Sequence, residues 1–374
     1  MTRRKLFFAA ASYARILGAN DRLGMALIGS GRRGREVMKA FLATGRSELL
    51  AVADVFDEQR ARSREVLGKP ALECVPHEEA MGKPGVDAVL IGAPDHWHLR
   101  MAQDAFRAGK HVYLEKPAIH SPNEVASLVD AAKASGKVCQ VGTQQRSGAH
   151  YRRAKEEIFG KRVLGDITHV RATWSNFPWQ ARRIAPRPQP AGLDWERFVG
   201  PAPRRAYDWA RYDSWRYYRD YGGGLLADIL NHWADVAQWM MGDANPRRAS
   251  VAGGIFHLKD GRENPDSVAA VIEYANWALT FESTVLPVRD ERPGVTFFGT
   301  GGTLELTRSG YLFTPAKGPA VEVRAEGGLE AAHATDFLDA IAKGRSVSAP
   351  PEIGVEGLRP CFLARTAYWK EHSR

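Results

Sequence analysis

Along the first third of the chain, short apolar runs alternate with stretches of helical periodicity. The runs at residues 25–28, 49–53, 86–91, 111–114 and 138–141 have strand length. Between them, residues 35–43, 99–108 and 122–135 read as helices. Strands alternating with helices predict a parallel, doubly wound α/β sheet, whose ligands sit beyond the carboxyl ends of the strands.

The pattern changes in the second half. Residues 166–174, 267–274, 278–285, 295–298 and 303–306 read as strands, several with period-two alternation. Few helices separate them, so this sheet is expected to be mostly antiparallel. Residues 178–203 are rich in proline and arginine and read as a long surface excursion; connections of that length are usually functional or disordered. Residues 331–343 and 354–368 read as helices that fold back on the first domain. The expected organisation is a nucleotide domain over 21–145 and a substrate and oligomerisation domain over 146–374.

The first two runs belong to one unit. Between them lies Gly29-Ser30-Gly31-Arg32-Arg33-Gly34, and the second run ends on Asp54, 20 residues after Gly34. A strand, glycine turn, helix and strand closed by an acid is the dinucleotide-binding fingerprint. Gly29 permits the tight turn, Gly31 lets the backbone approach a pyrophosphate, and Gly34 lets helix and strand pack closely. Ser30, Arg32 and Arg33 lie in the same turn. N–H groups at the helix start attract the phosphate charge. Asp54 is expected to bond the adenosine ribose and repel a 2′-phosphate, selecting NAD over NADP.

Composition narrows the picture. The chain has 374 residues, 44% hydrophobic and 25% charged, enough for two domains with their own cores. A net charge of +9 is spread over scattered arginines with no nucleic-acid motif, so nucleic acid is not an expected partner. Three separated cysteines, Cys74, Cys139 and Cys361, have no metal or disulfide spacing. No stretch has the length and apolarity of a membrane helix. At the N-terminus, Arg3-Arg4 precedes a short apolar and alanine-rich segment, which reads as a twin-arginine export signal over 1–20 and a periplasmic destination, with a basic cytoplasmic N-terminus as the alternative.

Four segments carry chemistry. Glu115-Lys116-Pro117 follows a predicted strand, so Lys116 should emerge at the crevice, its direction restrained by the proline. After Gly222-Gly223-Gly224, apolar residues recur at Leu226, Ile229, Trp233, Val236 and Met240, a buried helical stripe. Asp228, His232 and Asp235 fall together on another face. There Asp228 is expected to orient His232 as a general base. No metal site is expected. Between these segments Trp209, Tyr212, Trp215, Tyr217, Tyr218 and Tyr221 interleave with arginines, and Trp215, Tyr217 and Tyr221 read as a carbohydrate platform. Asp95-His96-Trp97-His98 follows the strand at 86–91 and is expected on the nicotinamide side.

Together these pieces resemble the glucose–fructose oxidoreductase/inositol dehydrogenase (Gfo/Idh/MocA) family, in particular its exported members. The matching pieces are Gly29 to Gly34, Asp54, Pro94-Asp95-His96-Trp97-His98, Glu115-Lys116-Pro117, Gly142-Thr143-Gln144-Gln145-Arg146, Asp228 with His232, and the late segment from Asp336 to Ile341. The resemblance implies a Rossmann domain followed by a domain on a large open sheet, and a homodimer or homotetramer formed through that sheet. It implies NAD contacts from Pro94, Asp95, His96, His98, Glu115, Lys116 and Gln144, and substrate contacts that include Arg146. It also implies hydride transfer between nicotinamide and a hydroxyl-bearing carbon of a sugar or polyol. His232 would take the hydroxyl proton, Lys116 would bond the reacting oxygen, and Asp228 would support the proton relay. A second reading is an NAD-retaining glycosidase or lyase, whose extra base would be Tyr217, Tyr218, Tyr221 or His150.

Overall fold

In the computed structural model, residues 22–177, 181–289 and 291–372 are described. The proposed export segment lies outside them. The first sheet has six parallel strands: β1 Leu23–Ile28, β2 Ser47–Ala53, β3 Leu72–Cys74, β4 Ala88–Ile91, β5 His111–Leu114 and β6 Cys139–Val141. Helices α1 Arg32–Ala43, α2 Asp57–Leu67, α3 His77–Gly82, α4 His98–Arg107 and α5 Val125–Ser135 connect them. The spatial order is β3-β2-β1-β4-β5-β6. The chain reverses its winding between β1 and β4, so the crevice opens at their carboxyl ends.

Every residue of β1 and of β4 is buried, as strands covered on both faces require. Met25 and Leu27 join Val37, Met38 and Phe41 of α1 on one face. Ala26 and Ile28 face the opposite core, which runs on into the second domain. Gly29 stands at φ +77°, and a Cβ there would lie 2.4 Å from the Ala93 nitrogen. That close approach of two backbone segments is what the first glycine of the turn supplies.

The second sheet has eight strands: β7 Ile167–Thr173, β8 Arg248–Gly254, β9 Ser267–Glu273, β10 Ala278–Thr284, β11 Gly294–Gly299, β12 Gly302–Thr307, β13 Gly310–Pro315 and β14 Val321–Arg324. Their order is β14-β13-β12-β11-β7-β10-β9-β8. The β7–β10 pair is parallel and the rest are antiparallel. Alternation holds where the sequence shows it: Val268, Ala270 and Ile272 are buried, while Ala269 and Val271 face out. Strands β3, β8, β13 and β14 lack a strong apolar run and escape the pattern.

Helices α6 Ala149–Ala154, α7 Trp195–Val199, α8 Trp209–Asp213, α9 Leu230–Met241, α10 Leu329–Lys343, α11 Pro351–Glu356 and α12 Arg359–His372 complete the fold. Two of them correct the sequence reading. The helix expected over 354–368 is two helices, broken at Gly357-Leu358. Gly357 packs beside Asp235, where a Cβ would lie 3.2 Å from that side chain. The excursion at 178–203 contains α7, and Leu193, Trp195, Phe198 and Val199 in it are buried. Late helix α10 lies on α1, with Phe337 edge-on to Phe41 and Tyr113 at 5.7 and 6.1 Å.

The glycine turn yields a contrast that can be measured. A Cβ at Gly34 would lie 2.3 Å from the Gly29 carbonyl oxygen, whereas one at Gly31 meets nothing within 4 Å. Gly34→Ala is therefore predicted to cost about 2–3 kcal/mol in urea unfolding. Gly31→Ala is expected to stay within about 0.5 kcal/mol of wild type in the same measurement.

Candidate active site

The crevice has two arms. One runs from Gly29 and Gly31 past Asp54 to Gly92, Ala93 and Pro94. Gly31 caps α1, no side chain fills that cap, and no acid occupies the first helical turn. The open space before Gly31 and the unneutralised helix start fit a pyrophosphate. Asp54 stands at the end of β2. Its Oδ2 accepts from the Ser30 backbone N–H at 2.7 Å and from Ser30 Oγ at 3.2 Å. Its Oδ1 accepts from the Phe56 N–H at 3.0 Å. Asp54 thus shapes the turn as well as lining the arm. Arg32 is mostly exposed and pairs with Glu36.

The second arm holds Asp95, Glu115, Lys116, Trp215, Arg216, Asp228, His232 and Arg308. Lys116, just past β5, reaches across the domain boundary. Its Nζ donates to the Asp228 carbonyl at 2.9 Å and to Asp228 Oδ1 at 2.5 Å. The Arg216 guanidinium pairs with Asp228 Oδ2 at 3.1 Å and lies over the Trp215 ring at 4.2 Å. Burial alone would raise the Asp228 carboxyl, but Lys116 and Arg216 outweigh it and hold it well below the usual carboxylate range. Asp228 sits in a π-helical turn, Leu225–Ile229, ahead of α9. Gly224 starts that turn at φ +56°, where a Cβ would press on Asn264 at 2.7 Å.

His232 lies one turn further on. Burial, then the Lys116 and Arg308 charges, push its pKa well below the ordinary histidine value, against the pull of Asp228. The ring is therefore neutral at physiological pH. Its Nδ1 stands 3.3 Å from the Gln145 amide, and Trp174 packs on the ring at 5.2 Å. Glu115 anchors the crevice floor. It accepts from Arg33 Nε at 3.0 Å and from Gln144 Nε2 at 3.1 Å. Arg33 also reaches Glu330, which pairs with Arg308 of the second domain.

Several expected residues occupy other environments. Asp228 holds Lys116 and Arg216, whereas His232 is held through Gln145. Asp228 lies in the π-helical turn and His232 in α9, and each still feels the other's charge. Asp235 pairs with Arg146 at 2.9 Å in the interior, so Arg146 faces a buried carboxylate and Trp239 rather than a substrate. Tyr217 and Tyr221 are core residues, 1% and 0% exposed. Arg262 lies over the Tyr217 ring, and Tyr221 packs against His96 and Phe198. Of the expected aromatic platform, Trp215 lines the crevice. Tyr218 lies beneath Arg211, and His150 bonds the Thr307 carbonyl.

His98 is buried, with its ring nitrogens against the carbonyls of Pro117 and Ala93. His96 donates from Nε2 to the Phe198 carbonyl at 3.0 Å. Gln144 stands behind Glu115, between it and the Tyr113 hydroxyl. These three are positioning residues for the loops around the cofactor arm. Cys74, Cys139 and Cys361 are free and buried. The residues missed from sequence are Arg216, Gln145, Trp174 and Arg308. Gln145 and Arg216 lay inside segments already singled out. Arg308 sits in the β12–β13 hairpin, where no local signal marks it.

A family model described as "Oxidoreductase family, NAD-binding Rossmann fold" matches residues 23–143, and the GFO/IDH/MocA C-terminal domain model matches residues 151–305. The chain belongs to the GFO/IDH/MocA oxidoreductase family. It is therefore an NAD-binding oxidoreductase, and the fold inferred from the resemblance holds. Among curated relatives, 1,5-anhydro-D-fructose reductase of Ensifer adhaerens is 26% identical over 74% of this chain and 74% of its own length. Levoglucosan dehydrogenase of Pseudarthrobacter phenanthrenivorans is 26% identical over 59% of this chain and 55% of its own. A solved levoglucosan dehydrogenase, in complex with NADH and levoglucosan, superposes with a TM-score of 0.72 over 93% of this chain and 98% of its own, at 21% identity.

Asp95 supplies the pH test of this site. Burial, then the neighbouring Asp228 charge, lift its carboxyl to about 7, opposed by Arg216, Lys116 and Arg365. An acid whose folded-state pKa stands above its unfolded value destabilises the fold as it ionises, so this contribution is lost as pH rises from about 4 to about 7. Relative to wild type, Asp95→Asn is expected to gain about 2–4 kcal/mol between pH 5 and pH 8. Differential scanning calorimetry at both pH values reads it, and a pH-independent difference would contradict this ionisation.

Proposed function

We propose that this oxidoreductase acts on the CH–OH group of a sugar, sugar derivative or polyol. The observation that carries the reading is one crevice in which a lysine ammonium and a neutral imidazole flank the open arm beyond the dinucleotide turn. The sugar chemistry named for 1,5-anhydro-D-fructose reductase and levoglucosan dehydrogenase supports the substrate class.

Roles follow from the donors and acceptors left over. An ammonium has three N–H donors. Two of those on Lys116 go to Asp228, leaving the third for a substrate oxygen. Asp228 and Arg216 fix the direction of that donor. His232 takes the hydroxyl proton at Nε2. That role needs the proton on Nδ1, and the Gln145 amide can hold it there. Its Oε1 lacks a partner, and a half-turn of the amide lets Oε1 accept from Nδ1–H. Bound NAD supplies the hydride acceptor at nicotinamide C4. Trp215 and Trp174 offer apolar faces to a sugar ring, and Arg308 a donor to its hydroxyls.

Redox-neutral glycoside cleavage would require a further base in this arm. Tyr217, Tyr218, Tyr221 and His150 do not line it, and that reading is not favoured.

Export and assembly belong to the same proposal. Arg3-Arg4 with the following apolar segment supports twin-arginine export to the periplasm. The outward face of the second sheet, with Ala269 and an exposed Val271, supports association of two or four copies. N-terminal sequencing of native protein and light scattering check both; a start at Met1 and a monomer mass would refute them.

Lys116→Ala and His232→Ala are each expected to lower kcat at least about 100-fold while dinucleotide binding stays within a few-fold of wild type. Stopped-flow nicotinamide absorbance with a sugar panel measures the first quantity and NADH titration the second. Wild-type turnover in either variant would remove these roles.

A further inference from the structure

Residues 181–208 leave the second domain and cross to the first. The crossing is pinned to the segment just after β2. The Asp57 N–H donates to the Gly192 carbonyl at 3.1 Å, and the Asp194 N–H donates to the Val55 carbonyl at 2.9 Å. These bonds form an antiparallel bridge between Phe56 and Leu193. A Cβ at Gly192 would fall 1.9 Å from the Asp57 carboxylate, so Gly192 leaves room for that side chain beside the bridge. Arg187 pairs with Glu58 at 2.6 Å and lies over the Trp209 ring at 4.6 Å.

The strap then turns into α7, which sets Phe198. Its carbonyl accepts from Trp97 Nε1 and His96 Nε2, each at 3.0 Å, both from the loop after β4. The strap is thus tied to both strand ends that bound the dinucleotide arm. Tyr212 joins from α8, with its ring against Phe56 at 5.5 Å and Phe198 at 5.1 Å. The arm that begins at Gly29, Gly31 and Asp54 is lined on its far side by Arg197, Phe198, Tyr212 and Trp215, all from the second domain.

We propose that this strap completes the adenosine half of the dinucleotide site and must lift before the dinucleotide exchanges. The proposal rests on the NAD-binding reading of the crevice. Phe198 and Tyr212 give a purine an aromatic surface opposite the apolar strand ends. Arg197 stands at the rim, with its side chain 48% exposed and its guanidinium 3.3 Å from the Asp194 carboxylate. Lifting the strap breaks the two backbone bonds and the pair at the Phe198 carbonyl. It also exposes Leu193 and Phe198, each 3% accessible. Such an opening is a local unfolding step, slower and rarer than side-chain motion. Residues 55–57 and 192–194 therefore control how fast the cofactor comes and goes, although none of them belongs to the hydride-transfer machinery.

The test locks the strap. Antiparallel partners stand at a Cα separation a disulfide can span. Phe56→Cys/Leu193→Cys is made in the full chain, loaded with NADH, and chased with excess NAD while tryptophan-to-nicotinamide energy transfer is followed. Oxidised protein is expected to release NADH at least roughly tenfold more slowly than the same protein after reduction. Comparing two redox states of one variant cancels any loss from truncating Phe56. Should that pair fail to fold, Trp97→Phe reads the opposite direction by removing one donor to the Phe198 carbonyl. It is expected to release NADH at least roughly threefold faster than wild type. NADH bound in all forms with equal release rates would overturn the strap's role alone. Failure of wild-type protein to bind NADH at all would overturn the cofactor reading and the proposal with it.

Discussion

The contact on which the crevice depends is the ion pair between Lys116 and Asp228, made across the boundary between the two sheets. Neither partner is exposed, and the buried Asp228 carboxylate is held charged by Lys116 together with Arg216. Buried pairs of this kind contribute little net stability, because desolvation offsets most of the attraction. Their value here is geometric. The Asp228 carboxylate and carbonyl take two of the three lysine donors, and Arg216 closes the second carboxylate oxygen. The ammonium is left with one free donor in a crevice that His232 also lines.

The imidazole obeys the opposite electrostatic logic. It is buried beside two cations, Lys116 and Arg308, so its neutral form is favoured. The lysine charge that Asp228 holds in place also helps keep the histidine unprotonated. A base and a hydrogen-bond donor can then coexist in one crevice near neutral pH. The chain of contacts from Arg33 through Glu115 and Glu330 to Arg308 extends the arrangement, joining glycine turn, crevice floor and second domain.

Much of this was legible before the fold was known. The glycine turn, Lys116 after a strand and His232 on a buried helix are local patterns, and local patterns report local geometry. The errors came from residues whose partners are remote in sequence. Arg146 sits in a segment otherwise rich in site residues, yet its guanidinium faces Asp235. Tyr217 and Tyr221 resemble a platform only until burial is known, and aromatics serve cores more often than ligands. Asp228 was expected to orient the imidazole directly, whereas its carboxylate is taken up by Lys116 and Arg216, both outside its helix.

The sequence by itself determined the nucleotide-binding architecture, the acid after β2 and the identity of the lysine and histidine. Glycine placement and apolar periodicity follow from backbone sterics and from what each face of an element must bury. Tertiary structure alone decided which carboxylate meets which cation, that Arg216 and Arg308 enter the crevice, and that Arg197 and Phe198 of a proline-rich excursion line the arm beside the glycine turn. Those choices depend on distances between elements separated by up to about three hundred positions, and a linear pattern carries no information about which remote charges a fold will desolvate together.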